Sequence, residues 1–371
     1  MPHRIGVFHK KNRNWHKNIT RHDHEKFTFK KFYDTHRIIN AVRRRIGKGA
    51  KQYYKYSRTP PSYPTVDLYH HWRALDFGST PWVVSTSSGL PFGWPWERCR
   101  EGLELLASEA CKKIIVTGRC ALEWQRRRAR REPDLESAVM DKVESLPPPQ
   151  DLLVSDWKQK PTDVQDSLRL AFVGTQFFLK GGLELVRVVQ QLVSEGAGIE
   201  LDIVSELKMS GRTGETEEDL AEARRIMEEC PRITWHGRLP NDRVLELFRQ
   251  SHIGLLPSYI EGYGYTVLEA QAGGCPTITT DIKAFPDTNP DEVGWRIQID
   301  GEEYDYESPE GQARISKRIE DGLDRILRQL LEDCLQIREK GIAALDRIEK
   351  EHSPARHGER LRTIYREALD D

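Results

Sequence analysis

Between residues 168 and 280 short apolar runs alternate with longer amphipathic ones, and this alternation limits the possible folds more than any other feature of the chain. "LRLAFVG" (168–174), "IELDIVS" (199–205), "RITWHG" (232–237), "HIGLLPS" (252–258) and "PTITT" (276–280) have the length and β-branched content of buried strands. The stretches between them carry apolar residues at helical spacing: one from about 181, one from about 216, "NDRVLELFRQ" with Asn241 as a cap, and "YTVLEAQAGG". Strands alternating with helices at these intervals predict an α/β fold, a doubly wound parallel sheet covered on both faces. In such sheets ligands sit beyond the carboxyl ends of the strands.

The remaining chain is too long to belong to the same core. At 371 residues the sequence exceeds the size at which single cores stop growing, so two domains are expected. The divide is expected within "ESLPPPQDLLVSDWKQKPTD", where prolines 147–149 and Pro161 break all periodicity. Before it, "RIGVF", "TVDLYHH", "PWVVSTSS" and "KIIVTG" are strand candidates, and "WERCREGLELLASEACKKI" is a helix leading into the last of these. The polar, His-rich stretch after "RIGVF" does not form one regular element. From about Pro309 onward the chain is charged and helical, with Ile315, Ile319, Leu323, Ile326, Leu327 and Leu330 on one stripe.

Hydrophobic residues make up 37% and charged residues 31%, with no apolar run of the ~18 residues a membrane span needs. "MPHRIGVFHKKNRNW" lacks the apolar core of a secretory signal, so a cytoplasmic location is expected. The six cysteines have neither CxxC nor CxxH spacing, which favours buried thiols over zinc or disulfides. The net charge of −1 conceals an asymmetry: residues 1–60 hold 17 Lys and Arg against three acids. With the second basic cluster in "EWQRRRARRE", this gives either a solvated surface or a face that attracts phosphates. Tyr53, Tyr54 and Tyr56 among the bases would suit nucleic-acid stacking or a membrane interface equally.

Two loops carry the chemistry. In "FVGTQFFLKGGLELV" a strand ends at Gly174, Thr175 opens the loop, and Lys180 precedes two glycines at the start of a helix. A lysine beside free helix amides favours an anion, though an ordinary loop with a surface lysine gives the same pattern. In "YIEGYGYTVLEA", Glu261 lies at a strand's carboxyl end and Glu269 within the helix that follows. Ionised carboxylates only accept hydrogen bonds, which suits a ligand rich in hydroxyls. Gly262 and Gly264 let the backbone approach that ligand, and the amides of Tyr263, Gly264, Tyr265 and Thr266 open toward a diphosphate.

"PSYIEGYGYTVLEAQAGGCPTITTD", with its E-x7-E pair, and "FVGTQFFLKGG" resemble the nucleotide-sugar and phosphate-loop signatures of retaining GT-B glycosyltransferases of family 4, the glycosyl transferases group 1. The resemblance is specific over about 166–300. It implies two Rossmann-like domains facing across a cleft: an acceptor-binding domain at 1–160, a nucleotide-sugar domain at 161–345, and a final helix at 346–371 packing back on the first. It also implies that Lys180 neutralises the departing diphosphate, Glu261 contacts the transferred sugar and Glu269 the ribose. The expected partners are a nucleoside diphosphate sugar and an acceptor, lipid-linked or anionic, with peripheral contact to an anionic membrane and no nucleic acid. No cofactor and no metal are expected, and retention in this group is ascribed to attack from the face on which the diphosphate leaves. The family's phosphate-loop arginine is replaced by Thr175 and Leu179, so either another base such as Arg238 in "WHGRLPND" takes its place or the enzyme is slow or inactive. Where the family has a histidine near the sugar, this chain has Ser87 and Ser88, so His70 or His71 of "DLYHHW" is the candidate, with a structural role equally open. His22 and His24 lack a carboxylate or thiol partner nearby in sequence. An epimerase of the same fold, or an anion- or nucleic-acid-binding protein on a degenerate scaffold, remains the alternative.

Overall fold

The computed structural model describes residues 2–8, 18–19, 27–34, 42–43, 45–47, 57–58, 62–63, 65–160, 167–299 and 304–370. Tyr53, Tyr54, Tyr56, His22, His24, Arg44 and Pro161 lie outside them. The chain divides into two compact units, Met1–Pro149 with His352–Asp371, and Gln150–Glu351.

In the first unit the strands are β1 (His3–Phe8), β2 (Phe27–Asp34), β3 (Ser57–Arg58), β4 (Ser62–Tyr63), β5 (Leu68–Trp72), β6 (Leu75–Asp76), β7 (Trp82–Thr86), β8 (Cys111–Val116) and β9 (Val143–Ser145). Its first helices are α1 (Cys99–Ala107), α2 (Arg119–Ala129) and α3 (Pro133–Met140). Seven strands form one sheet in the order β4-β2-β1-β5-β7-β8-β9, parallel except for the β2–β4 pair. All five residues of β7 are buried, as a parallel strand covered on both faces requires. On one face Leu361, Ile364, Tyr365 and Ala368 of the last helix pack with Ile5, Val7, Leu68 and Val83 in one core cluster. The polar stretch after β1 contains β2, "FTFKKFYD", whose paired lysines break the alternation that would mark a strand in the sequence.

The second unit holds β10 (Leu168–Val173), β11 (Ile199–Val204), β12 (Ile233–Gly237), β13 (Ile253–Leu256), β14 (Thr277–Thr280) and β15 (Gly294–Ile297). Its helices are α4 (Gly182–Ser194), α5 (Glu217–Glu229), α6 (Asn241–Gln250), α7 (Tyr265–Ala272), α8 (Phe285–Thr288), α9 (Pro309–Glu332) and α10 (Leu335–Glu351). The chain ends in α11 (Pro354–Asp370), which belongs to the first unit. The second sheet runs β12-β11-β10-β13-β14-β15 and is parallel at every pairing. The chain reverses its direction of travel through the sheet between β10 and β13, and that switch point is where doubly wound sheets take ligands.

The predicted strands and helices from 168 to 280 all form, and the stripe from Ile315 to Leu330 is buried on α9. Asn241 does not cap α6: it is the first helical residue, and Pro240 occupies the cap position. The proline-rich segment is docked to the second unit from Gln150 on. Leu153 N donates to Ala272 O at 2.8 Å and Trp157 Nε1 to Gly274 O at 3.1 Å. The units therefore divide at 149/150 and 351/352, where the sequence reading had 160/161 and 345/346.

Candidate functional site

Both signature loops emerge at the switch point, one after β10 and one after β13. The first closes tightly. Gly181 holds φ +73° just before α4, and a Cβ there would lie 2.2 Å from the carbonyl oxygen of Pro257 in the second loop. A side chain at 181 would thus strain its own backbone and push the two loops apart. Gly174 is similarly pressed, since a Cβ would meet Lys180 Cγ at 2.9 Å. Gly264, at φ +85°, precedes α7, and a Cβ there would be 2.8 Å from the Phe285 ring.

These contacts bring Lys180 and Glu261 together, 81 residues apart in sequence. Lys180 Nζ donates to Glu261 Oε2 at 2.6 Å and to Ile260 O at 3.0 Å. The Gly262 amide donates to Glu261 Oε1 at 2.7 Å. The two side chains are 14% and 20% exposed, so the pair is sheltered yet reachable from solvent. Burial alone would raise the Glu261 carboxyl, but the Lys180 ammonium and the amides of Gly262 and Tyr263 outweigh it and hold it below the usual carboxylate range.

Glu269 is buried on α7, one turn beyond the amides of Tyr265 and Thr266. Tyr263 is buried, and its ring lies 5.2 Å from that of Tyr265. Thr175 is exposed at the start of the first loop, whereas Leu179 points into the core, 2% exposed. Arg238 follows β12, two strands from β10 in the sheet order, and is exposed.

His70 and His71 belong to the interior of the first unit, both 0% exposed on β5. His70 Nδ1 lies 2.7 Å from the Tyr365 hydroxyl and Nε2 2.8 Å from Ser85 Oγ, which ties β5 to α11 and β7. His71 Nε2 lies 2.8 Å from Asp76 Oδ2, and Arg58 Nη1 donates to the same carboxylate at 2.6 and 2.8 Å. Burial would raise Asp76, but His71, Arg58 and the Gly78 amide hold it below its ordinary value. Rings enclosed in this way join elements of the unit and are shut off from solvent. Ser87 and Ser88 are also buried, and Ser87 Oγ accepts from Arg73.

The sequence reading missed Glu184 and Tyr259, which lie directly beneath the two loops. Glu184, on the first turn of α4, is 4% exposed and accepts from the Tyr259 hydroxyl at 2.5 Å and from Ser316 Oγ at 2.8 Å. A lone acid in the apolar run "GGLELV" gave no sign of this.

The all-parallel doubly wound sheet of the second unit and the largely parallel sheet of the first give the chain the α/β fold of the GT-B class. Over 98% of its length the chain superposes on 99% of the Anabaena protein HepE, solved with UDP and glucose, at a TM-score of 0.60 and 11% identity. A glycosyltransferase structure from Rickettsia africae matches with a TM-score of 0.60 and 12% identity over 100% of this chain and 99% of that one. Residues 154–320 match the family model for glycosyl transferases group 1. The D-inositol 3-phosphate glycosyltransferase of Nocardia farcinica is 27% identical over 46% of this chain and 39% of its own length. That of Rhodococcus erythropolis is 32% identical over 30% and 26% respectively. The chain thus spans under half the length of these curated relatives. Among the described residues, no helix is long and apolar enough to cross a membrane.

Proposed function

We propose that this chain transfers a sugar, with retention of configuration, from a nucleoside diphosphate sugar to an acceptor hydroxyl. The observation that carries the reading is the Lys180–Glu261 pair, 2.6 Å apart, at the switch point beside the Gly264-capped end of α7. Breaking the glycosidic bond leaves negative charge on the departing diphosphate, and a preplaced ammonium lowers that barrier. Lys180 fills that role, Glu261 accepts from hydroxyls of the transferred sugar and Glu269 from the ribose. The phosphate oxygen takes the acceptor proton, so neither a side-chain nucleophile nor a metal or further cofactor is required. Uridine nucleotides are the first donors to test, because HepE was solved with UDP. With the arginine position of the phosphate loop occupied by buried Leu179, Lys180 carries the diphosphate charge with the α7 amides. The acceptor is lipid-linked or anionic, and the protein works in the cytoplasm, in peripheral contact with acidic membrane.

The test is release of nucleoside diphosphate from a panel of UDP- and GDP-sugars, with EDTA present. The proposal expects turnover with at least one donor and a fall of roughly a hundredfold or more in Lys180→Ala. Turnover within a few fold of the parent in that variant would remove Lys180 from the mechanism.

A further inference from the structure

We propose that Glu184 and Tyr259 form a buried post that positions the Lys180–Glu261 pair, so that nucleotide affinity depends on a hydrogen bond that touches no ligand. The inference rests on the donor-site reading above and adds positioning residues to it.

Tyr259 lies two residues before Glu261, and its contacts reach every side of the loop. Its amide donates to Leu179 O at 3.1 Å, next to Lys180. Its carbonyl accepts from the Tyr304 hydroxyl. Its own hydroxyl donates to Glu184 Oε1 at 2.5 Å, and Ser316 of α9 donates to the same oxygen at 2.8 Å. The carbonyl of the next residue, Ile260, takes the Lys180 ammonium at 3.0 Å. Lys180 and Glu184 are separated by only one helical turn. Thus the lysine, the loop that holds it and the post beneath that loop share one short stretch of chain.

Tyr259 sits 4% exposed in the main core of the second unit, where Glu184 anchors its hydroxyl; with Phe178, Glu184 and Ser316 it borders a cavity of about 290 Å³. Burial pushes both the Tyr259 phenol and the Glu184 carboxyl upward, so the phenol keeps its proton and stays the donor of this hydrogen bond. The Glu184 carboxylate hydrogen-bonds to Tyr259 and Ser316 rather than to Lys180 or Glu261, and so acts through Tyr259.

The experiment compares the parent with Tyr259→Phe, Glu184→Leu and Glu184→Gln, by hydrogen exchange of the 257–264 amides and by UDP titration. Tyr259→Phe and Glu184→Leu should speed loop exchange and weaken UDP binding, each by about fivefold or more, the size of one lost hydrogen bond. Glu184→Gln keeps an accepting oxygen at Oε1 and should stay within about twofold of the parent in both. Parent-like loop exchange in Tyr259→Phe overturns the post. So does a lowered melting temperature in Tyr259→Phe or Glu184→Leu with UDP affinity unchanged. If the parent itself binds no nucleoside diphosphate, the functional reading fails instead, and the exchange measurement still decides whether the post holds the loop.

Discussion

Replacing Lys180 with methionine keeps the apolar stem against Gly174 and removes only the ammonium, which isolates the charge. Glu261 would then retain the Gly262 amide at 2.7 Å but lose its ion pair. Breaking a fully buried pair costs about 3–5 kcal/mol, while surface pairs contribute roughly 0–1 kcal/mol. With side chains 14% and 20% exposed and one amide left on the carboxylate, an intermediate loss of about 2 kcal/mol is expected at pH 7. The sign of the pH dependence follows from the depressed Glu261 carboxyl. A group whose folded pKa is lowered stabilises fully above its unfolded value, near 4.3, and that contribution is lost as pH falls through the folded value. The gap between parent and variant should therefore be full at pH 7 and narrow progressively below about pH 4.3. Hydrogen exchange of β10 and β13 amides against urea reads the second unit alone, avoiding a two-state assumption for a two-unit chain. A gap below about 0.5 kcal/mol at pH 7, or one that widens on acidification, would refute the argument.

Gly181→Ala should destabilise the second unit by about 2 kcal/mol or more, from left-handed backbone strain plus displacement of Pro257, and a melting temperature near the parent's would count against it. Tyr365→Phe removes the partner of His70 Nδ1 and should cost about 1–2 kcal/mol of first-unit stability. Its UDP affinity should match the parent's, and a large loss there would return His70 to the candidate site. Arg127, Arg130 and Arg131 are exposed on and just after α2, and Arg43 and Arg45 add charge elsewhere in the first unit. Sedimentation with acidic vesicles should occur at low salt, weaken at high salt and fall when the α2 arginines become glutamine, because the attraction is about 1 kcal/mol per base and is screened. Indifference to lipid charge would leave them a solvated surface.

The second unit was legible because its central strands, β13 and β14 above all, are buried along their whole length and form short apolar runs that need no knowledge of their partners. The stripe on α9 was legible for the related reason that one face carries the burial. Long-range contacts decided what was missed. Glu184 is enclosed by Ser316, 132 residues away, and His70 by Tyr365, 295 residues away, and no local pattern announces either. The adjacent histidines lie inside β5, not at its end as the sequence suggests, and their partners come from α11 and from the Arg58–Asp76 pair. The glycine spacing fixed where the loops turn, while the meeting of Lys180 and Glu261 needed the β10–β13 adjacency as well.

Calorimetric titration of UDP and GDP into the parent and into Glu269→Ala, with EDTA present, tests the donor site most directly. One nucleoside diphosphate should bind the parent at one site per chain. Glu269→Ala should bind it about tenfold to a hundredfold more weakly, since hydrogen bonds to a charged acceptor contribute about 1.5–3 kcal/mol. Failure of both nucleotides to bind the parent, or equal affinity in the variant, would contradict the placement of the nucleotide over β10 and β13.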